Sequence, residues 1–371
     1  MNIAVFMPSL QDGGVQKVVV NLYSELKKKK INLSIIAADG NGCMSKYIDD
    51  DNLIDLKKYK YRGDYKCLFS INSLRKTIKN GNYDIIIAVP GFASISLLTA
   101  NFFLKKKVKT IIMVDNTISL LKNGKLKHKI SYYLYKFFYK YATKIVVAHD
   151  VGMNDIINAF KLSRTKVTRI YHPMIDLVSI DNSKKPNHKW LNKNNYIVFS
   201  AGRLCLEKNY PCLIDAFKLF KEKVENSKLI IAGKGEELDN IKETILKNNL
   251  QDCVDLIGYT DNVIGYMKES DLFVLSSKQE AFGIVLVEAL ACKTKIVSTD
   301  CESGAQKEIL SNGKYGFLCN INDSYDLYSK MYIAYNDKSQ NYKDNNYNRA
   351  KDFTIEKSTN EYIKLFKEIT K

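Results

Sequence analysis

The chain has no apolar stretch long enough to cross a membrane, because Lys or Asn interrupts every candidate run in its 371 residues. Its start, Met1–Pro8, is too short and uncharged for a secretory signal and predicts a strand instead. The eight cysteines form no CxxC pair, which disfavours a zinc site and suits reduced thiols in a cytoplasm. Neither a GxGxxG fingerprint nor a P-loop occurs, so dinucleotide dehydrogenases and P-loop NTPases have little support.

Acidic residues are also scarce: 40 Asp and Glu stand against 57 Lys and Arg, for a formal net charge of +17. Two interpretations stay open. The excess could serve a polyanionic partner such as anionic lipid, nucleic acid or a phosphate-rich substrate, or it could reflect a composition rich in Lys, Asn and Ile. A hydrophobic content of 46% is enough for packed cores, and the length favours two domains.

Short apolar runs alternate with helical patterns in both halves of the chain, which predicts parallel sheets covered by helices. We therefore expect an α/β fold of two tandem doubly wound, Rossmann-like domains. The predicted boundaries are 1–175 for the first domain, 176–195 for a polar linker and 196–350 for the second domain. The tail, 351–371, has helical periodicity without a strand of its own.

The most informative segment, 277–289, holds two carboxylates eight residues apart, Glu280 and Glu288. A buried strand precedes it, and an apolar helix starts near Gly283. The N-terminus of such a helix offers free N–H groups and a partial positive charge to a phosphorylated ligand. Glu288, inside the helix, could accept hydrogen bonds from a sugar diol.

Other loops of the second half are predicted at the same sheet edge. Arg203 and Lys208 follow its first strand, and a guanidinium with an ammonium suits a pyrophosphate. Gly233 and Gly235 follow the next strand, where small residues allow a ligand to approach the backbone. In the first half, the glycine pair ending at Gly14 follows the first strand. An ordinary solvated loop remains the alternative for each of these alone.

In order, the Gly-Gly pair, Gly-Arg-Leu-x-x-Glu-Lys-Asn, Ala-Gly-x-Gly and Glu-x7-Glu resemble the family 4 retaining glycosyltransferases of GT-B architecture. The resemblance implies a nucleotide-sugar donor in the second domain, an acceptor in the first, and neither metal nor prosthetic group. It also implies that a C-terminal helix commonly packs back on the first domain. UDP is the nucleotide typical of the family.

The same resemblance assigns roles to residues. Arg203 and Lys208 would hold the diphosphate, Glu280 would contact the donor sugar and Glu288 the ribose. The remaining donor contacts carried over from the family are Gly14, Gly233, Phe282, Gly283 and Ile284. Many members carry a His in a first-domain loop where this chain has Asp115, and we assign Asp115 to the acceptor side. His149 and Asp150 are alternatives for that side, or they cap or end a helix or strand.

The segment Lys122–Lys144 predicts a basic amphipathic helix rich in aromatic residues, which suits an anionic membrane surface. Its predicted contacts are Lys125, Lys129, Lys136 and Lys140. The alternative is a core-facing aromatic side with a merely solvated Lys side. Relatives acting on lipid-linked acceptors favour a cytoplasmic enzyme peripheral to the inner face of the membrane.

The sequence and this resemblance therefore predict a metal-independent retaining transferase of bacterial surface glycan synthesis. It would move a hexose or N-acetylhexosamine from a UDP-sugar to a glycan acceptor, which we expect to be lipid-linked. One alternative is a GT-B transferase acting on a soluble acceptor. Another is a basic non-catalytic protein that binds membrane or nucleic acid. Two domains with glycine-bearing loops favour the enzyme over this alternative. For the enzyme we expect no nucleic-acid partner.

Overall fold

The computed structural model describes residues 1–11, 13–61, 63–115, 117–191 and 194–371. It divides the chain into two compact units: unit 1 is residues 1–174 with 355–371, and unit 2 is residues 175–354. Each unit is built on its own parallel sheet, so the predicted fold class is confirmed.

Unit 1 has, within the described residues, a seven-stranded parallel sheet of order β3-β2-β1-β4-β5-β6-β7. Its strands are β1 (Ile3–Ser9), β2 (Leu33–Asp39), β3 (Leu53–Asp55), β4 (Ile85–Ala88), β5 (Lys109–Val114), β6 (Lys144–Val147) and β7 (Val167–Arg169). Its helices before unit 2 are α1 (Gly14–Lys28), α2 (Tyr65–Leu68), α3 (Ile71–Gly81), α4 (Phe92–Phe102), α5 (Leu126–Phe138) and α6 (Asp150–Phe160). The central strands are buried along their length, as near-continuous apolar runs require when helices cover both faces.

Unit 2 has a six-stranded parallel sheet of order β10-β9-β8-β11-β12-β13 in the same described part of the chain. Its strands are β8 (Tyr196–Ala201), β9 (Ser227–Ala232), β10 (Val254–Gly258), β11 (Leu272–Leu275), β12 (Lys295–Thr299) and β13 (Phe317–Cys319). Its helices are α7 (Leu177–Asp181), α8 (Tyr210–Lys223), α9 (Leu238–Lys247), α10 (Val263–Glu269), α11 (Ile284–Ala291), α12 (Ala305–Ile309), α13 (Ser324–Asn336) and α14 (Asn341–Ala350). β8 pairs with β11, a neighbour far away in sequence. That crossover brings the loops after β8 and β11 side by side.

The last helix, α15 (Ile355–Thr370), belongs to unit 1. Its apolar side enters the unit 1 core through Tyr362, Leu365, Phe366 and Ile369. Lys144 donates a 2.8 Å hydrogen bond to Glu368 at the edge of this contact. The helical periodicity of the tail is thus the pattern of a helix with one buried side.

The segment 176–195, which we expected to be a linker, is part of unit 2 where the structure describes it. Asn262 donates to the carbonyl of Lys184 at 3.0 Å, His188 lies 3.2 Å from the Asp255 carboxylate, and Trp190 is buried. These contacts could not be predicted from the polar composition of the segment, because they involve a backbone carbonyl and two isolated aromatic rings. Asn192 and Lys193 of the predicted linker lie outside the described residues.

Candidate functional site

The carboxyl edge of the unit 2 sheet brings Lys208 and Glu280 into direct contact. Lys208 ends a short 3₁₀ turn after β8, and Glu280 lies between β11 and α11. The Lys208 ammonium donates to Oε1 of Glu280, and the Ser277 hydroxyl donates to the same oxygen at 2.9 Å. Both charged side chains are largely buried, at 18% and 11% exposure, so water screens their attraction weakly. Glu280 is therefore held as an oriented carboxylate.

Backbone contacts fix the two loops that carry this pair. Lys278 N–H donates to the carbonyl of Glu207 at 2.7 Å, and the Ser276 hydroxyl donates to the carbonyl of Lys208 at 2.9 Å. The loops are therefore locked to each other independently of the ion pair, and the pair is preorganised.

The loops after β8 and β9 are equally close. Gly202 N–H donates to the carbonyl of Ala232 at 3.0 Å, and Leu204 N–H donates to that of Lys234 at 2.8 Å. A Cβ at Gly233 would overlap the carbonyl oxygen of Gly202. Gly233 is therefore required by the approach of two backbones, which adds a structural role to the ligand contact predicted for it.

Arg203 lies in the loop after β8, where that loop packs against the loop after β9, and it is exposed to solvent. Its pKa is raised from the ordinary value, first by its interaction with the Cys205 side chain and then by the nearby carboxylates of Glu207 and Glu236. The guanidinium thus stays charged and accessible, one residue from the Gly202 backbone that packs against Gly233.

The start of α11 has the geometry expected for anion binding. Gly283 adopts a left-handed conformation (φ 97°) directly before Ile284, the first helical residue. Phe282 is buried, with its ring 6.1 Å from that of Phe353. This anchors the helix start beside Glu280. Glu288 lies one turn into α11, and only 9% of its surface is exposed. Its carboxylate is therefore buried beside the carboxyl edge of the sheet.

Two further side chains at this edge escaped the sequence analysis. Ser277 orients Glu280, as described above. Gln306 of α12 is fully buried, accepts a 3.3 Å hydrogen bond from Ser303, and its Nε2 would lie 4.0 Å from a Cβ at Gly283. That Nε2 has no partner in the described residues. A neutral amide in a helix gives no sequence signal for such a position.

Asn209 occupies the N-cap position of α8, but its side chain does not cap the helix. It precedes α8 in a left-handed conformation (φ 53°) and makes no side-chain cap hydrogen bond. Its amide donates instead to Asn322 Oδ1 at 3.3 Å.

Unit 1 places its predicted site residues at the carboxyl edge of its own sheet. Gly14 begins α1 after β1 and is exposed. Asp115 follows β5, and its Oδ1 lies 2.7 Å from Nε2 of His172, with both side chains largely buried. His149 caps α6 by accepting from Gly152 N–H at 3.0 Å, and burial lowers its pKa to about 4, which keeps the accepting nitrogen neutral.

The segment predicted to touch a membrane is helical over α5 and continues as a 3₁₀ turn, Tyr139–Tyr141. Lys125, Lys129 and Lys140 are exposed, and Lys136 is half-buried. The aromatic residues divide between two sides. Tyr132, Tyr135 and Tyr139 enter the core, whereas an apolar stripe faces solvent: Leu126, Ile130, Tyr133, Phe137 and Tyr141. We call these five residues the α5 stripe.

A cavity of about 600 Å³ lies at the opposite, amino-terminal edge of the unit 2 sheet. Two of its lysines are used for structure. Lys295 donates to the carbonyl of Ala334 at 2.8 Å, and Lys268 donates to that of Asp181 at 3.0 Å, so each stabilises the end of a helix. The candidate ligand site is therefore the carboxyl edge of the sheet, where the loops lie, in keeping with the rule for open parallel sheets.

Comparison with known proteins agrees with this fold. The family model described as Glycosyltransferase Family 4 matches residues 12–176, and that described as Glycosyl transferases group 1 matches residues 181–352. An uncharacterized glycosyltransferase of Methanocaldococcus jannaschii is 31% identical over 80% of this chain and 82% of its own. The chain belongs to the family 4 glycosyltransferases.

Two further proteins resemble this glycosyltransferase over almost its whole length. N-acetylgalactosamine-N,N'-diacetylbacillosaminyl-diphospho-undecaprenol 4-alpha-N-acetylgalactosaminyltransferase of Campylobacter jejuni is 26% identical over 98% of both chains. The solved structure of Alr3699/HepE of Anabaena, in complex with UDP-glucose, has a TM-score of 0.78. That structure is 17% identical and covers 99% of this chain and 100% of its own, which shows the GT-B fold alone.

Proposed function

We propose that this glycosyltransferase moves a hexose or N-acetylhexosamine from a UDP-sugar to a lipid-linked glycan acceptor with retention of configuration, in bacterial polysaccharide or glycoconjugate synthesis. The Lys208–Glu280 pair beside the start of α11 carries the proposal, because it sets a cation and a carboxylate at the edge where a diphosphate and its sugar would meet. The UDP-glucose in the Anabaena structure and the diphospho-undecaprenol in the Campylobacter name support the donor and acceptor classes.

The chemistry follows from where charge develops. As the bond from the sugar C1 to the phosphate oxygen breaks, negative charge grows on the leaving UDP. Arg203, Lys208 and the N–H groups of Gly283 and Ile284 would stabilise it. Because these cations and dipoles offset that charge, we propose that no metal is needed.

Retention follows if the acceptor attacks from the face that UDP leaves. The acceptor oxygen bonds to C1, and its proton passes to the departing phosphate oxygen. Glu280 Oε1 already accepts two hydrogen bonds, which suits a carboxylate that stabilises the oxocarbenium charge rather than a nucleophile. Glu288, one turn further along α11, would accept hydrogen bonds from the two ribose hydroxyls.

Replacing Arg203 by Ala should weaken UDP binding by roughly 10- to 100-fold, since a charge-assisted hydrogen bond contributes about 1.5–3 kcal/mol. Isothermal titration calorimetry of UDP measures this directly. Arg164→Ala is the matched control, because Arg164 is an exposed arginine in unit 1 and its loss changes the net charge equally. Equal UDP affinity in wild type and R203A would contradict the assignment.

We further propose that unit 1 contacts an anionic membrane through α5. The exposed fractions of the α5 stripe run from 52% to 74%, with Lys125, Lys129 and Lys140 beside it. Apolar side chains flanked by lysines are the pattern of an interfacial helix. In the part of the chain that the structure describes, no helix is both long and apolar enough to span a bilayer.

The double variant I130E/F137E should lose most binding to vesicles containing anionic lipid, because two charges replace apolar groups that would enter the interface. Flotation with vesicles of phosphatidylglycerol and phosphatidylcholine at low salt measures the effect. Leu246→Glu is the control, since Leu246 is 56% exposed on α9 of unit 2. If wild type does not float, or if all three proteins float alike, the α5 stripe is not a membrane contact.

A further inference from the structure

The last part of unit 2 packs along α11, the helix whose start lies beside Glu280. This part consists of α14 and the 3₁₀ turn that follows it, Lys351–Phe353. We call residues 341–353 the α14 brace. Just beyond the C-terminal end of α11, the buried Asn346 of α14 donates a 3.1 Å hydrogen bond to the carbonyl of Thr294. The far end of α11 is therefore fixed to the α14 brace.

The near end of α11 is held by an aromatic contact. The ring of Phe353 lies 6.1 Å from that of Phe282, with 71° between the planes, which is a favourable edge-to-face geometry. Phe353 is fully buried and Phe282 is 4% exposed. Phe282 directly precedes Gly283, the residue before the first helical turn of α11. The α14 brace therefore contacts α11 at both ends and sets the position of its N-terminus.

Arg349 ties the α14 brace to α12 as well. Its Nε donates to the carbonyl of Ile309 at 3.0 Å, and one terminal nitrogen donates to that of Glu308 at 2.8 Å, at the helix end where a cation is favoured. The other terminal nitrogen donates to Asp352 at 2.8 Å. The guanidinium carbon lies 4.7 Å from the centroid of the Phe353 ring. Arg349 thus fixes Phe353 while it holds the end of α12.

Two further contacts complete this arrangement around Gly283. Thr354, which follows the α14 brace, forms a parallel bridge with Ile175, so the backbone next to Phe353 is also held. From α12, Nε2 of the buried Gln306 would lie 4.0 Å from a Cβ at Gly283. The α14 brace therefore joins the two helices, α11 and α12, whose N-terminal ends lie beside Gly283.

We propose that Phe353 and Arg349 are positioning residues for the donor. They act through Phe282 and do not touch the donor. Their role is to hold the N–H groups of Gly283 and Ile284 where the diphosphate would bind. Preorganised dipoles stabilise a developing charge only while their geometry is kept, and a small displacement of such groups lowers the rate strongly. The proposal rests on the proposed function in that it takes the anion at this helix start to be the diphosphate of a UDP-sugar.

Phe353→Leu tests the aromatic contact. Leucine keeps an apolar side chain in the core and removes the ring that packs on Phe282. UDP affinity measured by calorimetry should fall about tenfold, which corresponds to the loss of about one charge-assisted hydrogen bond at the helix start. The measurement is made well below the melting temperature of the variant, so that only folded protein is compared.

Phe220→Leu is the matched control. Phe220 is also a fully buried phenylalanine of unit 2, but it packs against Tyr196 and Tyr335, which line the cavity at the opposite edge of the sheet. Both variants should lower the melting temperature, because both leave space in a core. Only F353L should weaken UDP binding. Equal UDP affinity in wild type, F220L and F353L overturns the proposal, since Phe353 would then be structural only.

Arg349→Lys is a second variant that does not empty the core. Lysine keeps the charge but lacks the planar fork that binds two carbonyls and Asp352 together. UDP affinity should therefore fall in R349K too, by less than in F353L. If F353L does not fold, R349K is compared with F220L in its place, and equal UDP affinity in those two proteins overturns the proposal.

A double-mutant cycle tests whether Phe353 acts through Phe282. Two residues that act through one contact are not additive, so F282L/F353L should lose no more UDP affinity than the more affected single variant. If the losses of F282L and F353L add in full, Phe353 does not act through Phe282, and the proposal is wrong.

Hydrogen exchange in the protein without ligand separates this proposal from the donor assignment. Amides of residues 280–288 should exchange faster in F353L than in wild type and F220L, because the start of α11 opens more often. Faster exchange there, with no UDP binding by wild type, would mean that the donor assignment fails and the positioning role stands. Unchanged exchange overturns the positioning role, whether or not wild type binds UDP.

Discussion

Glu280→Ala should lower kcat for UDP release about 10²–10³-fold, the range typical of removing one preorganised electrostatic group. Glu280 is the carboxylate nearest to the expected sugar position, and Lys208 and Ser277 hold it in one orientation. The change also frees the Lys208 ammonium to meet a diphosphate, so UDP affinity should stay equal or rise. A fall in kcat without a fall in UDP affinity is therefore the signature of this role.

The measurement is single-turnover release of UDP from the UDP-sugar that raises the melting temperature of wild type most. Glu280→Gln keeps the shape and removes the charge, so it should lose nearly as much rate as Glu280→Ala. Ser277→Ala keeps the charge and removes one hydrogen bond, so its loss should be smaller. If E280A and E280Q retain most of the wild-type rate, Glu280 does not stabilise the transition state.

Gly233→Ala should destabilise unit 2 by about 3 kcal/mol or more, because its Cβ would overlap the Gly202 carbonyl and neither backbone can move freely. The loops after β8 and β9 would separate, and Arg203 on the first of them would shift with its loop. UDP affinity should fall together with stability. Urea denaturation followed through the single tryptophan, Trp190, reports the free energy of unfolding.

Gly258→Ala is the control for this change. Gly258 also has a positive φ, 70°, but among the described residues no atom lies within 4 Å of the Cβ position. Its cost should be confined to backbone conformation, about 1 kcal/mol. Equal losses in both variants would show that the crowding at Gly233 has no importance.

The sequence predicted most strands because those of a covered parallel sheet are near-continuous apolar runs. It missed β3, since Leu53–Asp55 is three residues long and only half-buried. In α5 aromatic residues occur on every side, so periodicity alone could not separate Tyr132 in the core from Tyr133 in the α5 stripe. Only packing against the sheet decides that.

The sequence could predict only that the site residues lie at the same edge of the unit 2 sheet. Loops after parallel strands meet at one side, which placed Arg203, Lys208, Glu280 and Glu288 together in expectation. Contact between Lys208 and Glu280 depends on β8 pairing with β11, and strand order cannot be read from one sequence.

The most direct test of the donor assignment is the structure of this glycosyltransferase with UDP bound. We predict diphosphate oxygens within hydrogen-bonding distance of Arg203, Lys208 and the N–H groups at the start of α11, with the ribose hydroxyls on Glu288. If UDP binds elsewhere, and these residues keep the conformation that they have without ligand, the account is contradicted.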